Sequence, residues 1–144
     1  APNGLDPKKF PGVVDDSQAL FKGKWTKGQG LKPYFSFGYQ YSSDPASTAT
    51  FTLEAPKDGL HDVRIVYQPH PNRGKSVLVE VTTGDKSTKQ DSIVNMTQKP
   101  SFENGFHSVG GIKLRKGQKV MVRLSAKGAR GNVHVDAAQL LPID

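Results

Sequence analysis

The sequence contains no cysteine and no long apolar run. The absence of cysteine excludes disulfide bonds and any zinc or iron–sulfur site held by thiolates. No apolar stretch approaches the roughly 20 residues that a membrane-spanning helix needs. A chain of 144 residues can bury the core of one domain without disulfide bonds or metal sites to stabilise it. We therefore expect a single domain with no membrane span.

The common catalytic motifs are also missing. The sequence has no Gly-x-Ser-x-Gly elbow, no His-Glu-x-x-His helix, no phosphate-binding glycine loop and no cysteine nucleophile. Two carboxylates could still meet in space without a sequence pattern, as they do in glycosidases. However, the 13 acidic residues are spread along the chain, and no insertion is present to build a deep cleft. We expect a domain that is not an enzyme.

Basic residues outnumber acidic residues by 20 to 13, which gives a net charge of +7. Residues 73–144 carry 12 Lys and Arg against 6 Asp and Glu, whereas residues 1–72 carry 8 against 7. This surplus favours a polyanionic partner such as an acidic or sulfated glycan, although lysines in turns also serve solubility alone. Nucleic acid is not expected as a partner, because the aromatic residues cluster in the neutral first half, apart from the charge.

Alternation of apolar and polar residues, typical of strands with one buried face, recurs along the chain. The runs include residues 48–53, 62–67, 76–81, 120–125 and 133–138, with further strands expected near Val13 and at residues 37–41, 87–94 and 106–114. Only residues 17–21 could form a helical turn. About nine short strands predict an all-β fold, a two-sheet antiparallel β-sandwich that is jelly-roll-like. The sandwich would span residues 12–144, and residues 1–11 would be an N-terminal tail or the end of a linker.

Several segments, in order, resemble one family of accessory domains. They are Val-Val-Asp-Asp at residues 13–16 with Trp25 nine residues on, Tyr-x-x-x-Pro-Asn-Arg at residues 67–73, and Val-His-Val-Asp-Ala at residues 133–137 within "VHVDAAQLLP". Together they are similar to the golvesin and xanthan-lyase carbohydrate-binding-like domain. The resemblance implies a β-sandwich appended to a larger bacterial protein, often a polysaccharide-degrading enzyme. It also implies a secreted or cell-envelope location and a parent catalytic domain as partner.

The loop between the strands at residues 62–67 and 76–81 is a candidate binding surface. Pro69 and Pro71 restrict its backbone, so the loop is ordered before a ligand arrives. His70, Asn72 and Arg73 offer hydrogen bonds to hydroxyl or acidic groups. Alternatively, Asn72 forms an Asx-turn and Arg73 pairs with an acid such as Asp15, Asp16 or Asp136. His70 is the residue expected to be most exposed.

Aromatic rings can stack on the apolar face of a sugar. Trp25 and Tyr34 are the first candidates, because Gly, Lys and Pro flank them and a core position explains them poorly. If residues 35–41 are extended, Phe35, Phe37, Tyr39 and Tyr41 share one face of a strand. Such a stripe is more typical of a core than of a binding platform.

Two pairs of residues are candidates for holding a ligand or a cation. His134 and Asp136, two apart on one predicted strand, lie on the same face, but two ligands make a weak metal site. The adjacent acids Asp15 and Asp16 could hold a structural calcium ion, or could cap turns. We expect no other cofactor.

These observations and the resemblance together predict a non-catalytic carbohydrate-binding module, specific for an anionic polysaccharide with sulfate or uronic-acid groups. The alternative is a structural or protein-interaction domain of a larger secreted protein or oxidoreductase, with no glycan ligand. That alternative requires an exposed apolar patch, which could include Met96 and Phe102.

Overall fold

The computed structural model describes residues 2–143, which form twelve β-strands and three short 3₁₀ helices. The strands are β1 Val13–Asp15, β2 Leu20–Lys22, β3 Thr26–Gly28, β4 Tyr39–Ser42, β5 Thr48–Glu54, β6 Gly59–Val66, β7 Val77–Thr83, β8 Lys89–Val94, β9 Phe106–Leu114, β10 Lys119–Ser125, β11 Val133–Val135 and β12 Ala137–Pro142. The helices are Pro7–Lys9, Asp16–Gln18 and Glu103–Gly105. No helix among the described residues is long and apolar enough to cross a membrane.

The strands form two main sheets and one small one. Four strands are ordered β1-β12-β6-β9, five are ordered β2-β5-β10-β7-β8, and a three-stranded sheet is ordered β11-β4-β3. Every pairing between these strands is antiparallel. The structure therefore confirms the all-β antiparallel sandwich that the alternation predicts.

The main core lies between the two large sheets. On β5, Phe51 and Leu53 are buried while Thr52 is exposed, and on β6 Val63 and Ile65 are buried. These residues belong to one apolar cluster to which β7, β9, β10 and β12 also contribute. Because side chains alternate across a strand, the period of two in the sequence is the direct signature of this core.

A second, smaller apolar cluster lies outside this core, and the N-terminal segment forms part of it. Phe35, Val66, Phe106 and Ala137 are buried there, with Phe10 packed against them. The Phe10 ring meets Phe35 edge-on, with ring centroids 5.2 Å apart. The segment expected as a tail at residues 1–11 thus contacts the sandwich. Ala1 and Asp144, the outer ends of the two expected segments, lie outside the described residues.

Two of the predicted elements differ from the structure. The expected strand at residues 133–138 breaks at Asp136, so that β11 joins the three-stranded sheet and β12 joins the four-stranded one. Residues 35–38 form a tight turn rather than a strand, and only residues 39–42 are extended. In both places a backbone bend moves the chain from one layer to another, which a period-two pattern does not reveal.

The two ends of the sandwich differ in their connections. At the short-turn end, four or five residues join successive strands, namely residues 55–58, 84–88 and 115–118. Backbone hydrogen bonds connect these turns, from Gly84 N to Lys119 O and from Gly117 N to Ala55 O, each 2.8 Å. The opposite, long-loop end carries residues 67–76, 95–105 and 126–132, the three-stranded sheet and Asp136.

Candidate functional sites at the two ends of the sandwich

The loop at residues 68–75 crosses from β6 of the four-stranded sheet to β7 of the five-stranded sheet. Arg73 is buried within it, with 5% of its surface exposed. Its Nη1 donates to Asn72 Oδ1 at 2.8 Å and its Nε to Gln68 O at 3.3 Å. The side chain therefore ties the loop together.

The predicted acidic partners of Arg73 are wrong. Among residues 2–143, no carboxylate forms an ion pair with it. The side chains of Tyr39 and Tyr41 are its neighbours instead, and that of Tyr39 hydrogen-bonds to it. Burial lowers the pKa of Arg73, and the two tyrosines partly offset that effect. A buried guanidinium without a carboxylate is held by neutral acceptors, so this residue acts on the loop backbone.

The other two loop candidates lie closer to solvent. His70 and Asn72 are exposed. The Asn72 backbone N–H donates to His70 Nδ1 at 3.2 Å, and the Asn72 carbonyl accepts from Asn132 N at 3.0 Å. His70 is exposed as predicted, and its free edge remains the accessible polar group of this loop.

His134 and Asp136 are both completely buried. The His134 ring packs on Tyr39, with centroids 4.0 Å apart, and its Nδ1 accepts from Gln68 N at 3.3 Å. Burial, together with the nearby charge of Arg73, holds the pKa of His134 well below its usual range. The Asp136 carboxylate accepts from Phe35 N at 3.0 Å. Neither side chain is exposed, so this pair does not face a ligand at the surface.

The two stacking candidates have different environments. Tyr34 is only 2% exposed, and its hydroxyl donates to Asn3 Oδ1 at 2.5 Å, so it is not available for stacking. Trp25 is partly exposed. Its ring meets Phe21 edge-on at 5.0 Å and its Nε1 donates to Lys22 O at 2.9 Å. These contacts fix the indole and leave part of it open to solvent.

Phe37 is the aromatic residue that the sequence interpretation missed. Its side chain is 61% exposed, whereas Phe35 and Tyr39 on either side of it are buried. Ser36 and Gly38, which flank it, have φ angles of 55° and 126°. The glycine directly after Phe37 was the available signal, because glycine commonly marks a position that needs positive φ.

Two cavities adjoin at this turn. One, of about 190 Å³, is lined by Phe37, Lys27 and Gln40 together with Asp15, Asp16 and Ser17. The other, of about 340 Å³, shares Asp15 and Ser17 and extends along Lys8 and Gln18. The surface beside the exposed ring is therefore concave and presents both polar and apolar groups.

Three carboxylates meet beneath these cavities. Asp15 ends β1, Asp136 precedes β12, and the two strands pair with Asp15 opposite Ala137. Asp16 N donates to the Asp136 carbonyl at 3.0 Å. One oxygen from each of Asp15, Asp16 and Asp136 lies within 4.8 Å of the others. Strand pairing, rather than sequence proximity, adds the third acid to the predicted pair.

Burial controls the protonation of this acidic cluster, which we define as Asp15, Asp16 and Asp136. Burial raises the pKa of Asp136 to about 9, against the opposing hydrogen bond from Phe35 N. Burial likewise raises the pKa of Asp16 to about 7, against the hydrogen bond from Gln40. When no cation is bound, Asp136 therefore favours its neutral form at pH 7, and Asp16 is close to half protonated there.

The acidic cluster fits a hard cation. Asp15 Oδ1 is buried and has no hydrogen-bond partner, whereas Asp15 Oδ2 accepts from Ser17 at 2.6 Å. Gln40 Nε2 donates to Asp16 Oδ2 at 3.1 Å. Carboxylate oxygens are the ligands that Ca²⁺ prefers, and such outer hydrogen bonds orient ligands for it.

The short-turn end gathers exposed basic side chains. Lys86, Lys89 and Arg123 line one surface cavity, together with Thr50, Thr82, Met121 and Glu80. Arg115, Lys116 and Lys119 line a second cavity beside it. Glu80 pairs with both Arg123, at 2.7 Å, and Lys89, at 3.2 Å. Basic residues from two turns and from the adjoining strands β8 and β10 therefore line neighbouring parts of the surface.

The expectation that Met96 and Phe102 belong to an exposed apolar patch is wrong for Met96. Met96 is completely buried, and its sulfur accepts from His134 N at 3.4 Å. Phe102 is exposed, but the Arg64 guanidinium lies 4.0 Å above its ring. These two residues do not form a shared surface.

Comparison with known proteins agrees with the fold. Xanthan lyase from Paenibacillus matches with a TM-score of 0.80 and 20% identity over 92% of this chain and 13% of that enzyme. The CBM35 module from Cellvibrio japonicus matches with a TM-score of 0.62 and 15% identity, over 92% of this chain and 94% of the module. A CBM35 module in complex with a disaccharide containing glucuronic acid gives 0.61 and 14%, with the same coverage.

These likenesses show a shared sandwich fold, and this chain spans only a small part of the xanthan lyase. None of the curated proteins matches the chain. The sequence model of the Golvesin C-terminal domain matches residues 12–142, which is nearly the whole chain. The protein therefore belongs to the Golvesin C-terminal domain family.

Proposed function

We propose that this chain is a non-catalytic carbohydrate-binding domain that directs a larger polysaccharide-acting enzyme to an anionic polysaccharide. Its family membership and its fold, shared with CBM35 modules, support this proposal. One of those modules was solved with a disaccharide that contains glucuronic acid. The domain would act outside the cell or in the cell envelope, attached to a catalytic partner.

The basic surface at the short-turn end is the observation that supports the proposed preference for anionic polysaccharides. Its members are Lys86, Lys89, Arg115, Lys116, Lys119 and Arg123. Lys86, Arg115 and Lys116 lie on turns, and Lys89, Lys119 and Arg123 lie on the adjoining strands β8 and β10. All six are exposed to solvent, where they can attract a chain of negative groups. Only Glu80 and Glu54 form ion pairs with members of this set among the described residues.

The long-loop end would supply contacts of shorter range. The exposed part of Trp25 would stack on a sugar ring, and His70 and Asn72 would hydrogen-bond hydroxyl groups. Arg73 would position their loop, since it is buried. A calcium ion bound by Asp15, Asp16 and Asp136 would stabilise the junction between β1 and β12.

Affinity electrophoresis against sulfated, uronic-acid-rich and neutral polysaccharides tests this function. We expect the acidic glycans to retard the wild type, and retardation to weaken as salt screens the charges. Lys86→Glu with Lys116→Glu should abolish it, while the matched control Lys75→Glu with Lys127→Glu, exposed at the opposite end, should retain most of it. Trp25→Ala reports whether the indole contributes. No retardation by any glycan at low salt would contradict the proposal.

The alternative, a domain that packs on its parent enzyme, is favoured by one observation. Leu60 and Ile143 are both exposed and lie together, with Ile143 N donating to Leu60 O at 2.8 Å. Co-elution of the domain with its parent catalytic domain, lost in Leu60→Ser, would support this reading. Because this alternative has no glycan ligand, binding of a glycan by the domain would count against it.

A further inference from the structure

The turn that carries Phe37 is held firmly on both sides of the exposed ring. Ser36 N donates to Leu5 O at 2.8 Å, and Gly38 N donates to Phe35 O at 3.1 Å. Gln29 Nε2 donates to the Phe37 carbonyl at 2.7 Å. A Cβ atom at position 38 would lie 2.4 Å from Gly28 O, so only glycine fits there. The backbone is fixed, and the phenyl ring alone projects into solvent.

Neither apolar cluster explains why a phenylalanine occupies this position. The ring belongs to neither of the two buried clusters, and it is more exposed than Phe102. Ser36 adopts a positive φ of 55°, which is costly for a residue with a Cβ atom. Strained backbone and exposed aromatic side chains both concentrate at binding surfaces.

The cavity beside the ring supplies the polar groups that a sugar needs. Lys27 offers a donor and Gln40 offers both donor and acceptor at its wall, and Ser17 offers a hydroxyl. The second cavity continues from Ser17 to Gln18 and Lys8. The two cavities adjoin, because both are lined by Asp15 and Ser17, and Phe37 lines the first of them.

The charge around this path distinguishes it from the short-turn end. Asp15 and Asp16 line the first cavity together with one lysine, Lys27, and Asp6 and Lys8 line the second. A uronic acid or sulfated unit would place its negative group next to two carboxyl groups, whereas hydroxyl groups would find acceptors there. An uncharged ring is therefore the better occupant.

We propose that Phe37 is the stacking platform of a subsite for an uncharged pyranose unit, with its hydroxyl groups bound by Lys27, Gln40 and Ser17. This inference rests on the proposed carbohydrate-binding function and extends it. The domain would hold a polysaccharide at two places, with acidic groups at the short-turn end and a neutral ring at Phe37. An apolar protein partner seated on Phe37 is the competing occupant.

The test measures binding of uncharged oligosaccharides built from glucose, mannose, xylose or galactose, by calorimetric titration in 1 M NaCl. At that salt the Debye length is about 3 Å, so attraction by the basic surface is suppressed. We expect Phe37→Ala to lower the affinity about tenfold, the size of one aromatic contact. Phe37→Tyr keeps the ring and should retain the affinity. The control Phe102→Ala removes an exposed ring that lines neither cavity, and should change nothing.

The outcomes separate this subsite from the function on which it rests. Binding by the wild type that Phe37→Ala leaves unchanged would overturn the subsite while the carbohydrate-binding function stands. If the wild type binds acidic glycans but no uncharged oligosaccharide in 1 M NaCl, the subsite is likewise overturned and the carbohydrate-binding function stands. If no glycan of any class binds the wild type, both proposals fail together.

Discussion

The two ends of this sandwich use charge in opposite ways. At the short-turn end, Lys86, Lys116 and Arg115 are exposed on turns that contribute little to the core. At the long-loop end, Arg73, His134 and the acidic cluster are buried and hold backbone groups in place. Charge in solvent attracts a partner over distance, whereas buried polar and titratable side chains organise loops and leave aromatic rings and neutral groups for contact.

This difference follows from how the connections are built. Short turns between adjacent strands satisfy their backbone hydrogen bonds with other backbone groups, as Gly84 N does with Lys119 O and Gly117 N does with Ala55 O. Longer loops that cross between sheets carry more backbone polar groups, and these need partners from side chains. Gln68 illustrates the point, since its N–H donates to His134 and its carbonyl accepts from Arg73.

The largest expected effect comes from removing the buried guanidinium group of Arg73. Arg73→Ala leaves the Gln68 carbonyl and Asn72 Oδ1 without their donor, so we expect a loss of about 3 kcal/mol of unfolding free energy. Denaturant unfolding measures it. Lys86→Ala at the short-turn end and Lys75→Ala in the same loop as Arg73 should each stay within about 0.5 kcal/mol of wild type. Equal losses for Arg73 and Lys86 would contradict the contrast between the ends.

The next prediction concerns the acidic cluster and pH. Because the pKa of Asp136 is raised to about 9 and that of Asp16 to about 7, the folded state keeps protons that the unfolded chain releases. In the absence of calcium, the contribution of these two carboxyl groups to the free energy of unfolding is therefore greatest at low pH. It falls as the pH rises toward 9. The Tm should drop by several degrees between pH 7 and 9, a window above the ordinary pKa of histidine.

Two variants locate that pH dependence at the long-loop end. Asp136→Asn keeps the size of the side chain but removes its titration, so the decline in Tm above pH 7 should largely disappear. Asp85→Asn at the short-turn end should leave the decline intact, because hydrogen bonds from Ser87 and Thr83 hold the pKa of Asp85 at about 2. A decline that persists in Asp136→Asn would place the responsible group elsewhere.

The smallest expected effect is stabilisation by calcium. A cation that binds the folded acidic cluster must displace its protons, so added Ca²⁺ should raise the Tm by a few degrees, and by more at pH 8 than at pH 6. Differential scanning fluorimetry with Ca²⁺, Mg²⁺ and EDTA measures it. Asp15→Asn should remove the response, whereas Asp91→Asn on β8 should preserve it. An equal response to both divalent ions in all variants would indicate screening rather than a site.

Much of the scaffold could be predicted because it depends on local patterns. Alternating residues such as Phe51, Leu53, Val63 and Ile65 indicate both the strand and its buried face. The exposure of His70 also follows from its surroundings, since prolines on both sides hold it in an extended loop. These inferences need only the geometry of a strand or a proline ring.

The sites depended on longer-range geometry. The aromatic stripe at residues 35–41 was expected as one face of a strand, but a turn at Ser36 and Gly38 turns Phe37 outward and leaves Phe35 and Tyr39 inside. Tyr34 and Met96 are buried because segments distant in sequence, near Asn3 and His134, cover them. No local pattern reports which distant segment covers a residue.

The sequence by itself determined the all-β class, the antiparallel sandwich, the family and the basic character of the second half. Only the tertiary structure decided that lysines from separate turns share one surface, that Asp136 meets Asp15 and Asp16, and that Phe37 faces solvent. The physical reason is that strand identity arises from the side chains of neighbouring residues. A site arises from strand pairing and crossover loops, which bring together residues more than a hundred positions apart, as Phe35 and Asp136 show.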